Sequence, residues 1–173
     1  MKWKYNKPGN VFPGVVSRLD TRVTGVIVFA RTSKAASRLN EQFRNRTTEK
    51  RYWALTEQAV SPAAGEWTDY IRKEDEGFKV RVVRQPDVRS KLAKLRYETK
   101  FAGVNWCLLE VQLLTGRKHQ IRAQLAAHGR PILGDKKYGS RCAFPTGVAL
   151  HSRRLTIQHP TQTKHWGLWR LCL

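Results

Sequence analysis

Residues 105–114 alternate Trp106, Leu108, Glu110 and Gln112 with Cys107, Leu109, Val111 and Leu113. A period of two over ten residues demands an extended strand, with the second set of side chains on one face. Residues 92–101 read as a second strand, and Ala102–Gly103 joins the two. Residues 23–30 are rich in β-branched side chains and read as a buried strand, with Val26 to Phe29 packed in the core. Ser33 is the expected N-cap of a helix that lines up Ala36, Leu39 and Phe43. Further strands are expected over 52–57 and 148–157. Thr115-Gly116 precedes a helix expected over 117–128, which Gly129 and Pro131 stop.

Two stretches read as irregular. Residues 1–14 carry Pro8, Gly9, Pro13 and Gly14, an opening loop. Residues 61–91 are polar, with Pro62, Gly65, Gly77 and Pro86, and predict loops and short hairpin strands; Glu74, Asp75 and Glu76 form a solvated run. Strands joined largely by hairpins, with a few helices, predict an α+β fold with a mainly antiparallel mixed sheet. At 173 residues the chain fits one domain, 1–173.

Charge then narrows the partner. Thirty-three Lys and Arg against thirteen Asp and Glu leave a net charge of +20, spread along the whole chain. Such self-repulsion destabilises a compact monomer unless a polyanion offsets it, so nucleic acid is the expected partner. No apolar run approaches the ~20 residues of a membrane helix, and no apolar leader opens the chain. Cys107, Cys142 and Cys172 are scattered and read as reduced thiols, which predicts a cytoplasmic protein. No metal or organic cofactor is expected. Gly134 and Gly139 lack the pattern of a phosphate loop, and His119 and His128 lack matching metal ligands.

Carboxylates are scarce enough to weigh one by one. Asp20 stands just before an apolar strand, between Arg18 and Arg22, where positive charge favours its ionised form. That suits a nucleophile or base; a turn aspartate or a structural ion pair would look the same. Arg122 falls beside Ile121 and Leu125 on the core side of its helix, where a lone guanidinium needs a carboxylate partner. Asp20 is a candidate for that partner. Arg117 and Lys118, at the start of the same helix, could hold a phosphate, or belong to a basic surface helix. No second acid near Asp20 suggests paired-carboxylate hydrolysis.

The motifs carry a resemblance. Ser17-Arg18-Leu19-Asp20 with residues 23–30 resembles the RluA-family signature His-Arg-Leu-Asp-x-x-Thr-Ser-Gly and its apolar strand. Lys50-Arg51-Tyr52-Trp53-Ala54-Leu55, with Tyr52 thirty-two residues after Asp20, is similar to that family's Lys-x-Tyr-x-Ala element. Thr115-Gly116-Arg117-Lys118-His119-Gln120-Ile121-Arg122 resembles the third element and runs on through Leu125, Gly134-Asp135 and Tyr138-Gly139. Leu150-His151, Leu155 and His159-Pro160 resemble the closing strand, so the likeness covers about residues 15–160.

The resemblance implies an RNA pseudouridine synthase, an isomerase needing no cofactor, with ribosomal or transfer RNA as partner, no obligate protein partner and a monomeric state. Asp20 would initiate cleavage of the uridine C1′–N1 bond, Arg122 would pair with it, and Tyr52 would stack on the base. Arg18, Arg117, Lys118, His119 and Gln120 would hold the RNA with its uridine flipped out. Gly134-Asp135 and Tyr138-Gly139 would serve as turn and packing residues near the site.

The chain departs from the family pattern at Ser17, Val23 and Gln124, where His, Thr and His are usual. Asn6-Lys7-Pro8-Gly9 comes almost at the start, where family members usually carry more chain, which predicts a sheet short of its first strand. A truncated or catalytically impaired homologue that only binds RNA is the alternative expectation.

Overall fold

The computed structural model describes residues 13–74, 79–162 and 165–169. Most of the expected opening loop, Asp75, Glu76, Gly77 and Cys172 lie outside the described residues, as does the expectation about the chain's front end.

Ten strands and two helices follow one another along the described chain. They are β1 (Gly14–Val15), β2 (Thr24–Gly25), β3 (Phe29–Ala30), α1 (Ser33–Asn45), β4 (Glu49–Thr56), β5 (Ala64–Lys73), β6 (Val80–Val83), β7 (Ser90–Ala102), β8 (Cys107–Leu113), α2 (Gln120–Ala127), β9 (Leu150–Gln158) and β10 (His165–Trp169). The main sheet runs β10-β9-β4-β8-β7-β5-β6, antiparallel throughout, and β2 joins it in parallel beside β9. β1 and β3 form a separate small ladder. The fold is α+β with a mixed, mainly antiparallel sheet, as the pattern predicts.

The β7–β8 hairpin forms where the alternation places it. Cys107, Leu109 and Val111 are wholly buried and, with Leu95, form a core against Ile121 and Leu125 of α2. Each such leucine contributes about 1.5–3 kcal/mol by leaving water. Leu39 of α1 packs with Leu155 and Ile157 of β9 in a second cluster. Register ties these clusters to one face. Tyr52 pairs with Val111, and Lys50 pairs with both Leu113 and Leu155. Both helices therefore cover the same side of the sheet. The other face carries Arg51, Glu110, Arg96 and Glu66, whose ion pairs link neighbouring strands. One buried and one charged face is the usual economy of an antiparallel sheet.

Several expectations need correction. Residues 23–30 do not form one buried strand: β2 and β3 are two residues each, and between them only Val26 reaches β9, its N–H donating to Ser152 O at 2.8 Å. Val26 and Val28 pack inward, whereas Ile27 is 40% and Phe29 44% exposed. Gly25 explains the break, because its φ of +124° turns the chain away from β9 after two paired residues. The cap of α1 is Thr32, not Ser33: its extended backbone lets Oγ1 accept from Ala35 N–H at 3.1 Å. α2 begins at Gln120, three residues late, because His119 adopts the left-handed conformation with φ 51°. β5 is a ten-residue strand within the stretch expected to hold loops and short hairpin strands, paired with β7 from Ala64 to Arg72. Its pattern hides it, because Asp69 takes an inward position between Trp67 and Ile71. Gln124 Nε2 donates to Asp69 at 2.7 Å and His128 Nε2 lies 3.1 Å away, so the carboxylate is satisfied there. β10 lacked any distinctive sequence signal.

At Gly25 a Cβ would lie 2.5 Å from the Ser152 nitrogen, in a conformation that side chains rarely adopt. Gly25→Ala is expected to destabilise the fold by at least about 2 kcal/mol. A denaturation midpoint equal to the wild type's would refute the parallel β2–β9 contact.

Candidate active site

On the covered face, between the helices, a groove of about 1520 Å³ opens over β4. Asp20, Lys50, Tyr52, residues 116–122 and residues 134–137 line it. Asp20 sits on a tight turn closed by Val23 N–H to its own carbonyl at 3.0 Å, with Arg22 at φ 67°. The turn points its carboxylate at α2. Asp20, Tyr52 and Arg122, far apart in sequence, all line this groove.

Arg122 is the centre of the arrangement. It is 7% exposed, and its fork donates twice to Asp135, Nε to Oδ2 at 2.7 Å and Nη2 to Oδ1 at 2.8 Å. The remaining Nη1 reaches Asp20 Oδ2 at 3.5 Å. The bidentate partner is thus Asp135, while Asp20 is the looser one. Asp135 is 1% exposed and needs a fixed counter-charge; the Asp20 side chain is 29% exposed, toward the groove. Burial works against the Arg122 charge, but the Asp135 hydrogen bonds and the two carboxylates outweigh it and raise the pKa. The guanidinium carbon also lies 5.0 Å from the centre of the Tyr138 ring.

His119 completes the surround of Asp20. Its left-handed backbone aims Nε2 at Asp20 Oδ1, 3.8 Å away, while Nδ1 meets Tyr138 Oη at 2.8 Å. Val80 N–H donates to the same hydroxyl at 3.2 Å. That favours Tyr138 donating to Nδ1, which leaves the imidazole proton on Nε2, facing Asp20. Burial lowers the His119 pKa, Asp20 opposes this, and the charges of Arg122, Lys137 and Lys118 add to the lowering. The ring is therefore neutral at pH 7. Burial raises the Tyr52 pKa, a Ser152 hydrogen bond opposes it, and the Asp20 charge raises it further. Tyr52 stays a neutral phenol, an aromatic floor beside the carboxylate.

The residues expected to hold RNA divide by their contacts. Arg18, Arg117, Lys118, His119 and Gln120 all line the groove. Gln120, however, is buried and spends its amide on the chain: its Oε1 accepts from Thr115 Oγ1 and Arg117 N–H, and its Nε2 donates to Lys94 O. It shapes the turn into α2. Arg117 Nε donates to Leu92 O at 2.9 Å. Asp135 and Tyr138 were expected as turn and packing residues, yet they anchor Arg122 and His119. The sequence signal for Asp135 was the requirement that a buried arginine have a carboxylate; nothing local chose between two aspartates. Among the described residues, no group of three or more His, Cys, Asp or Glu could hold a metal ion.

With this geometry in view, the comparisons with known proteins are specific. Residues 2–127 match the family model described as RNA pseudouridylate synthase. The chloroplastic RNA pseudouridine synthase 2 of Arabidopsis thaliana is 38% identical over 136 residues, which are 75% of this chain and 31% of that protein. The dual-specificity RNA pseudouridine synthase RluA of Escherichia coli is 35% identical over 156 residues, 84% of this chain and 67% of that protein. The solved structure of human RNA Pseudouridylate Synthase Domain Containing 4 superposes with a TM-score of 0.81 at 26% identity, covering 98% of this chain and 75% of that one. The chain belongs to the RNA pseudouridylate synthase family and carries an RluA-type domain. It spans about a third of the plant relative's length.

Removing the Asp135 charge leaves the buried guanidinium with only the looser Asp20 contact. Asp135→Asn is expected to lower stability by about 3–5 kcal/mol, read from urea unfolding; a loss under 1 kcal/mol would contradict the buried pair. His119 carries a pH signature. Its folded pKa lies below the unfolded value of about 6.5, so the unfolded chain takes up the proton first. Its penalty is absent above that pH and grows as pH falls through it. Between pH 7.5 and 5.5 the wild type should lose more stability than His119→Gln. Parallel curves would show that the ring is not held neutral.

Proposed function

We propose that this chain is an RNA pseudouridine synthase that isomerises uridine in structured RNA, with Asp20 as the catalytic carboxylate. One observation carries the reading. A carboxylate is held within a strongly basic groove against Arg122 and near Tyr52, while Asp135 neutralises the arginine. The RluA-type family and the relatives' activities support it.

Isomerisation breaks the C1′–N1 bond, joins C1′ to C5, and moves the C5 proton away as N1 gains one; nothing else is consumed. Asp20 initiates cleavage, either by attack at C1′ or by assisting loss of the C2′ proton. Arg122 Nη1 orients the carboxylate. Tyr52, a neutral phenol, offers a face for the uracil to stack on, which offsets part of the few kcal/mol needed to flip a base out. Arg18, Arg117 and Lys118 on the groove walls contact phosphates, with His119 toward the sugar. Ribosomal or transfer RNA is the substrate class, acted on in the cytoplasm by a monomer whose catalytic domain is 1–173. Among the described residues no helix is long and apolar enough to cross a membrane.

Asp20→Asn is expected to reduce isomerisation at least a hundredfold, about the lower bound for removing an acid–base group, with RNA affinity unchanged or improved. The readout is pseudouridine mapping of total RNA from cells with and without the gene, using a chemistry that blocks reverse transcription. Loss of one or a few sites on deletion, restored by the wild type but not by the variant, supports the assignment. An unchanged map with folded protein present supports an RNA binder instead.

A further inference from the structure

Lys50 is the groove residue that the arrangement around Asp20 leaves unused. It stands two positions before Tyr52 on β4, on the same covered face, about 6–7 Å along the strand. Its register partners on both sides are leucines, Leu113 and Leu155. A Cβ placed on Gly116 would lie 3.2 Å from its Nζ, so the ammonium reaches the segment that leads into α2. Among the described residues, none forms a hydrogen bond or ion pair with the Lys50 ammonium. The two carboxylates that line the groove, Asp20 and Asp135, face Arg122. Neighbouring Glu49 is turned to the opposite face, where it pairs with Arg51.

Half-burial of a lysine between leucines is unfavourable without a compensating anion. The desolvation, helped by the nearby Arg46 charge, lowers the Lys50 pKa. A stem that merely passed over apolar surface would carry its ammonium out to water. Here Nζ stays in the groove, one strand step from the aromatic face offered to the base. An ammonium held this way, short of a counter-charge, is matched by a permanent anion of the substrate. In RNA that is the backbone, which takes most protein contacts to nucleic acid.

We propose that Lys50 is a substrate-contact residue whose ammonium donates to a non-bridging oxygen of the phosphodiester flanking the flipped uridine. The assignment rests on the RNA-isomerase reading, and it separates Lys50 from the wall residues. Those follow the RNA strand outside, whereas Lys50 fixes the backbone of the nucleotide that reacts.

The test uses the full chain, a substrate RNA identified by mapping, and two variants. Lys50→Met keeps the apolar stem and removes the charge; Lys50→Arg keeps the charge. Affinity is measured against salt for the natural RNA and for one bearing a single neutral methylphosphonate beside the target uridine. Lys50→Met should weaken binding about tenfold and reduce the slope of log affinity on log salt by about 0.7–0.9, one phosphate contact. Lys50→Arg should restore the slope. The neutral linkage should weaken the wild type equally and leave Lys50→Met indifferent. An unchanged slope with lost turnover would overturn the proposal and place Lys50 on the base. Additive effects of the variant and the neutral linkage would overturn it also. A wild type that isomerises no RNA would instead refute the underlying function, which the same assay reads separately.

Discussion

The Arg122–Asp135 pair is the interaction around which the site is built. Two short charge-assisted bonds lock the guanidinium plane, and only then does Nη1 face Asp20. The pair joins α2 to the turn after it, while Asp20 arrives from the other end of the chain. A lysine at position 122 could not divide its donors this way, since it lacks the rigid fork. Asp135 thus acts through Arg122 and leaves Asp20 free to face the groove.

The sheet supplies the platform for that pair. Its covered face carries both helices, and the space between them is the groove, with Lys50 and Tyr52 of β4 on its floor. Elsewhere along these strands most residues that face the core are apolar, among them Ala54, Leu95, Leu109 and Val111. At the groove a lysine and a tyrosine take their place; the tyrosine hydroxyl has Ser152, while the lysine ammonium has no partner among the described residues. The net charge of +20 fits this construction, because a polyanion seated in the groove relieves the repulsion that the free protein carries.

Much of the fold was legible in the residues themselves. The β7–β8 hairpin followed from strict alternation, and α1 from its spaced apolar residues, although its cap fell one residue early. What could not be read locally was decided by partners. β5 was hidden because Asp69 breaks its apolar face, and only Gln124 and His128, brought over by α2, make that aspartate tolerable. Residues 23–30 look like one strand by composition, yet Gly25 ends the pairing after two residues.

By itself, the sequence determined the α+β class and the basic charge, and it singled out Asp20, Tyr52 and Arg122 as candidates that the fold brings to one groove, because these follow from periodicity, composition and motif. Tertiary structure alone decided which aspartate grips Arg122 and which is left to face the groove. It also decided that His119 turns back toward Asp20 and that Lys50 lies uncompensated beside Tyr52. The reason is physical: an ion pair is chosen by distance and burial in three dimensions, and Asp20 and Asp135 are both aspartates until the chain has folded around them.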